Sequence, residues 1–282
     1  MFPIRDHNPS ERTPYVTWAL ILANVLIFLS YYPALSGNER QLMAFYGQWA
    51  LIPREVLGGA DGFTLVSSMF LHGGWMHLIG NMLFLWIYGD NLEDLLGHLG
   101  FLAFYLVAGL AAAAGQILAD PGSSIPMVGA SGAIAGVMGG YLLMFPRARI
   151  DILVILIVII RIFTVPAWLV LGLWFALQLV NGLAMDTAGG GVAYWAHAGG
   201  FVAGLLLVLP VWLRRGGPAH WARTHGKPPH GEAEYAFAAT VRSRIPRVRR
   251  AQANMRPLSR FGRVPRSGSR RGHGSPWAGG RD

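Results

Sequence analysis

Cysteine is absent from the 282 residues. That excludes disulfides, thiolate nucleophiles and Cys-ligated metal centres. Charge is scarce as well, with Asp, Glu, Lys and Arg making up 13% of the chain against 53% hydrophobic residues. With a mean hydropathy of +0.41, these values place the chain among polytopic membrane proteins. No His-Glu-x-x-His run occurs, which removes the commonest signature of a metal protease. The acidic residues that do exist are unevenly spread. Residues 1–213 hold 7 Lys/Arg against 11 Asp/Glu, whereas residues 214–282 hold 16 against 3. The body is nearly neutral and the tail is strongly basic.

The hydropathy pattern divides the chain into a polar lead at 1–14, a membrane domain at 15–213 and a basic tail at 214–282. The first apolar run is Tyr15 to Tyr32, closed by Pro33, and is read as a retained helix rather than a cleaved signal peptide. Residues 34–62 are too polar to span, and their aromatics suit an interfacial loop. In the second block, Gly73-Gly74 separates a re-entrant lead from a helix starting near Trp75 and running past Asp90, Glu93 and Asp94 to Gly97. The third span is Phe101 to Leu118. The fourth opens at Ser131 and stops at Pro146-Arg147. Ile150 to Phe163 is rich in Ile and Val and interrupted by Asp151 and Arg161, which suits an extended or interfacial segment. The fifth span is Pro166 to Val180, then a glycine-rich loop at Asn181 to Gly191, and the sixth is Val192 to Leu213.

The expected fold is therefore an all-α polytopic membrane protein, a six-helix bundle with a disordered basic tail. Arg147, Arg149, Arg161 and Arg214-Arg215 mark the cytoplasmic side. Both termini then lie in the cytoplasm, in a multi-pass protein of the cell (inner) membrane. The tail is expected to rest on anionic lipid; a nucleic-acid partner is not expected, because Arg-rich tails are common beside membranes.

On that topology spans two, four and six all start at the outer face. His77, Ser131 and His197 then share one depth. Polar groups at membrane depth are costly and point to function. Ser131 and His197 make a nucleophile and a base. The nearest acids, Asp120 and Asp186, each stand eleven residues before one of them in outer loops, so a dyad is expected rather than a triad. His77 and Asn81 are four apart and share a helix face, where they can serve an oxyanion together with backbone N–H groups at the Ser131 helix start. His72, beyond the glycine pair, is expected to fix the loop. Gly132, Gly136 and Gly140 form one small-residue stripe, and Ala196, Gly200 and Gly204 another, as close backbone packing of spans four and six requires. Neither a metal nor a cofactor is expected. A channel or transporter would carry polar residues through the whole membrane thickness; here they cluster at one level.

Three motifs, in order on spans two, four and six, carry a family resemblance: His72-x4-His77-x3-Asn81, Gly129-Ala130-Ser131-Gly132, and Ala196-His197-x2-Gly200-x3-Gly204. The chain resembles the rhomboid intramembrane serine proteases over roughly residues 15–213. The resemblance implies a six-helix core around a water-filled, laterally gated cavity. It implies Ser131 as nucleophile, His197 as base, and His77, Asn81 and the Ser131 backbone amide as oxyanion contacts. It also implies transmembrane protein substrates, cut near the outer end of a helix. The pattern departs at Ala135, where some members carry an aromatic that backs the catalytic histidine.

Overall fold

A computed structural model describes residues 2–59, 62–156, 159–184 and 191–233. Helix α1 spans Tyr15–Leu35. Pro33 lies inside its last turn instead of closing it, since a proline there forfeits one backbone bond while the helix continues for two residues. The expected interfacial loop contains two helices, α2 (Glu39–Trp49) and α3 (Pro53–Leu57). Asn38 caps α2 by accepting from the Gln41 N–H at 3.2 Å, and Pro53 stands at the first turn of α3, where no N–H is needed. The lead into the second span is α4 (Thr64–Ser67) followed by a 3-10 turn, Ser68–Phe70. Beyond the glycine pair, α5 runs Trp75–Leu96, and Gly97 ends it at φ +72°, a backbone state that glycine adopts without strain.

The rest of the bundle is α6 (His98–Ala119), α7 (Ser131–Met144), α8 (Ala167–Ala184) and α9 (Tyr194–Arg214). Among the described residues, α1, α6, α8 and α9 are long and apolar enough to cross a membrane. The apolar helix α7 is shorter, at 14 residues, and 11 of them are buried. A helix that is apolar all round belongs inside a bundle, and α7 packs chiefly against α9 and α6. The fold is mostly helical and of the polytopic membrane type.

The acids at the end of α5 have a structural use. Glu93 is buried and accepts from the backbone N–H groups of Val16 and Thr17 at 2.9 and 2.8 Å, and from Thr17 Oγ1 at 2.7 Å. Asp94 accepts from the N–H groups of Glu11 and Arg12 just upstream. Glu93 thus satisfies donors that the first turn of α1 leaves unpaired, and places negative charge where the helix dipole favours it.

Ile150 to Phe163 is extended, as its composition suggests, but the sheet is larger than the sequence reading allowed. β2 (Arg149–Leu156) and β3 (Ile159–Pro166) form an antiparallel pair, and β1 (Phe2–Asp6), inside the supposed polar lead, adds to β2. Asp151, which breaks the apolar run in sequence, holds this sheet. Its buried carboxylate pairs with Arg5 Nε at 2.9 Å and His7 Nε2 at 2.8 Å, and accepts from Thr164 Oγ1 at 2.6 Å. Burial alone would raise its pKa, but the bonds from Thr164, His7 and Arg5 outweigh that and keep it below the ordinary carboxylate value.

The expected boundary of disorder at residue 214 needs correction. Helix α10 (Pro218–Thr224) follows α9 directly. Trp221 Nε1 donates to Leu143 O at 2.9 Å, the Arg147 N–H to Gly226 O at 2.8 Å, and the Ala233 N–H to His7 O at 2.7 Å. Residues 214–233 therefore belong to the folded body, because their donors and acceptors are matched by the end of α7 and by β1. Residues 234–282 lie outside the described residues.

Candidate active site

The two small-residue stripes meet. A Cβ placed on Gly200 would overlap the backbone oxygen of Gly132, and one on Gly204 would overlap that of Gly136. A Cβ on Gly132 would fall 2.6 Å from the Ala112 side chain of α6. Helices α7 and α9 thus touch backbone to backbone, as small-residue faces permit. Gly140 meets side chains instead of backbone: Val208 of α9, Leu92 of α5 and Phe104 of α6.

This packing brings Ser131, the first residue of α7, against His197, the fourth of α9. Ser131 Oγ and His197 Nε2 are 2.7 Å apart. The other ring nitrogen, Nδ1, lies 2.9 Å from Gln178 Oε1 on α8. Trp174, one turn earlier on α8, places its ring 5.6 Å from the imidazole at a tilt of 36°. The sequence reading missed both α8 residues. The available cue was a glutamine inside an otherwise apolar span, where an unpaired amide is costly. Asp120 follows the end of α6 and borders the site cavity; Asp186 lies outside the described residues.

The residues proposed for the oxyanion face the same place from α5. The Gly73 N–H donates to His77 Nδ1 at 3.3 Å. In the neutral ring that leaves Nε2 as the N–H donor, a tautomer inferred from the partner. A Cβ on Gly129 would stand 2.8 Å from this Nε2 and 3.5 Å from Ser131 Oγ. The space that glycine leaves open therefore lies between the two groups. Gly129 also has φ +132°, so a side chain there would be strained as well as obstructive. Asn81 is buried, and its Nδ2 has no hydrogen-bond partner among the described residues. A buried amide donor without a partner is expensive and fits a group waiting for a ligand. The α7 start adds free backbone N–H groups beside Ser131.

His72 is closer to the site than the sequence suggested. Its ring meets that of His77 edge to face with centroids 5.1 Å apart. Its backbone is clamped: the His72 N–H donates to Tyr31 Oη at 2.7 Å, and His72 O lies 2.7 and 3.0 Å from the Tyr31 and Tyr46 hydroxyls. These bonds anchor the segment before α5 to α1 and α2. Ser131, His197, His77, Asn81, Trp174 and Met138 all line one cavity of about 820 Å³. A hydroxyl with a base on one side, and N–H donors converging across an open space, can carry nucleophilic acyl transfer.

Comparisons with known proteins cover the same helices. The Rhomboid domain model matches residues 60–214, which include α5, α7 and α9. Rhomboid protein 1, mitochondrial, of Saccharomyces cerevisiae is 31% identical over 171 residues, covering 56% of this chain and 45% of the yeast protein. Rhomboid protease GluP of Bacillus subtilis is 30% identical over 212 residues, covering 72% of this chain and 36% of that protein. RHOMBOID-like protein 4 of Arabidopsis thaliana is 34% identical over 163 residues, covering 57% and 37% respectively. The chain spans less than half the length of each of these relatives. The matched region contains the whole constellation around Ser131, and on that ground the chain belongs to the rhomboid family.

Proposed function

We propose that this chain is an intramembrane serine endopeptidase that hydrolyses peptide bonds of transmembrane proteins near the outer ends of their helices. The observation that carries the reading is the 2.7 Å approach of Ser131 Oγ to His197 Nε2 inside a cavity bordered by helices of membrane-spanning character. The reaction follows from these groups. Ser131 Oγ attacks the scissile carbonyl carbon while its proton passes to His197 Nε2. The carbonyl oxygen becomes an anion, received by His77 Nε2–H, Asn81 Nδ2–H and the Ser131 backbone N–H. Collapse breaks the C–N bond, and the proton on Nε2 goes to the leaving amine. Water then repeats the sequence on the acyl-enzyme, with His197 again as base, and frees Ser131.

In this reading both termini are cytoplasmic, the protein sits in the cell (inner) membrane, and the basic residues after Arg214 rest on anionic lipid. Treatment of purified protein with a fluorophosphonate probe, beside cleavage of a transmembrane substrate, tests the proposal. Wild type should be labelled and should cleave. Ser131→Ala and His197→Ala should each lose cleavage at unchanged expression, and Ser131→Ala should lose the label. Turnover near wild type in either purified variant overturns the dyad.

A further inference from the structure

Resting on the serine-protease reading, we propose that Gln178 is a positioning residue that sets the tautomer and orientation of His197 from helix α8. The hydrogen bonds run in one direction. Gln178 Nε2 donates to the backbone oxygen of Trp174 at 3.2 Å. That contact assigns the amide, because only its nitrogen can donate to a carbonyl. Oε1 is then the atom at 2.9 Å from His197 Nδ1, and a carbonyl oxygen can only accept. His197 must carry its proton on Nδ1. Its Nε2 is left as a lone pair directed at Ser131 Oγ, 2.7 Å away. The chain Trp174 O, Gln178, His197, Ser131 thus leaves the base in the one neutral form that can take the serine proton. The other tautomer would set the Nδ1 lone pair against that of Oε1, and would make Nε2 a donor to Oγ instead of the acceptor of its proton.

Gln178 is neutral, so it orients the ring without supplying a counter-charge to the imidazolium. Trp174 is placed to supply part of that need. Its ring centroid at 5.6 Å is within the range at which an aromatic face attracts a cation. Both residues belong to α8, so the base is set by the packing of α8 on α9. This also answers the departure at Ala135, which is buried within α7 and has no ring to offer: the aromatic support and the polar partner both come from the fifth span.

The test compares wild type, Gln178→Met and Gln178→Glu in cleavage of a transmembrane substrate, with Ser131→Ala as control. Methionine keeps the length and removes the acceptor; glutamate keeps an acceptor oxygen at the same reach. Gln178→Met should lose roughly 10- to 100-fold in kcat, the range expected when a buried hydrogen bond to the base is lost. KM should stay within about 2-fold, since no substrate contact changes. Gln178→Glu should recover most of that rate. Wild-type kcat in Gln178→Met overturns the proposal, as does a loss confined to KM. If Gln178→Met also lowers the melting temperature, Gln178→Glu decides: activity well above the methionine variant supports positioning, and equal inactivity shows that the site is merely intolerant of change. Activity surviving in Ser131→Ala would instead refute the protease reading itself.

Discussion

The backbone oxygen of Gly132 occupies the place where a side chain on Gly200 would have to stand. Ser131 immediately precedes Gly132, and His197 is three residues before Gly200 on the same helix face. The contact that excludes a methyl group at 200 is therefore the one that sets the distance between Ser131 Oγ and His197 Nε2.

Gly200→Ala should for this reason abolish the proposed cleavage although residue 200 has no reactive group. The neighbour is backbone, so α7 and α9 must part to admit the Cβ, and a displacement of about 1 Å can cost about 10²-fold in rate. Gly172→Ala on α8 is the control, because among the described residues nothing outside its own helix backbone lies within 4 Å of the Cβ it would gain. Steady-state kcat should fall by about 10²-fold or more for Gly200→Ala and stay near wild type for Gly172→Ala. Normal cleavage by a folded Gly200→Ala protein would mean that helix spacing does not control the dyad.

Asn81→Ala should lower kcat by roughly 10²-fold or less. One donor of this kind is worth about 10²–10³ in a well-studied hydrolase site, and here His77 and the Ser131 amide remain. Stability should not suffer, because Asn81 Nδ2 makes no bond among the described residues. A change in KM alone would make Asn81 a binding residue instead.

The point of truncation should separate the tail from the body. Removing residues 234–282 should leave cleavage of a reconstituted substrate largely intact, as no residue of the constellation lies there. Removing 218–282 should lower the melting temperature. It deletes α10 and removes the hydrogen-bond partners of the Leu143 and His7 carbonyl oxygens and of the Arg147 N–H, and each such bond is worth about 0.5–1.5 kcal/mol net. Thermal unfolding of the two truncations in detergent measures this. Equal melting temperatures would place residues 218–233 outside the stabilising core.

Much of this was legible in the sequence, for identifiable reasons. Glycine and proline mark helix ends by local sterics, so the start of α5 at Trp75 and its end before Gly97 could be read from Gly74 and Gly97 themselves. The facing of Gly200 on Gly132 could be read from spacing, because four-residue repeats of small side chains leave one face bare. β1 could not be read, because the pairing of Phe2–Asp6 with β2 joins segments about 145 residues apart and a short strand has little periodicity of its own. Gln178 was hidden differently. Its meaning lies in what stands opposite its Oε1, and no spacing within α8 tells which helix that face will meet. The same holds for Tyr31 and Tyr46, whose hydroxyls hold the His72 backbone across 41 and 26 residues of chain.

Asp6 offers a test of the end of the bundle remote from Ser131. It lies at the end of β1 and is buried; Asn91 Nδ2 and Tyr141 Oη donate to its Oδ2 at 2.7 and 3.0 Å. Burial, and then the neighbouring Asp90 charge, push its pKa from 3.8 up to about 8, against the opposing pull of those hydrogen bonds. The folded state thus keeps a proton that the unfolded chain has released. Between about pH 4 and pH 8 the native protein binds more protons at this site than the unfolded one, so its contribution to stability falls as pH rises. Asp151 acts in a different window: its lowered pKa makes its contribution present above the ordinary carboxylate value and lost only in stronger acid. Asp6→Asn keeps an acceptor for Asn91 and Tyr141 but cannot ionise. Melting temperatures of wild type and Asp6→Asn should therefore lie closest near pH 4–5 and diverge towards pH 8, with the variant becoming the more stable. Tyr141 is ten residues from Ser131 along α7, about 15 Å at the rise of a helix, so kcat at 25 °C should not follow this divergence while both proteins stay folded. Parallel melting curves across the whole range would show that Asp6 keeps an ordinary carboxylate in the fold, and that the β1 anchor does not depend on its proton.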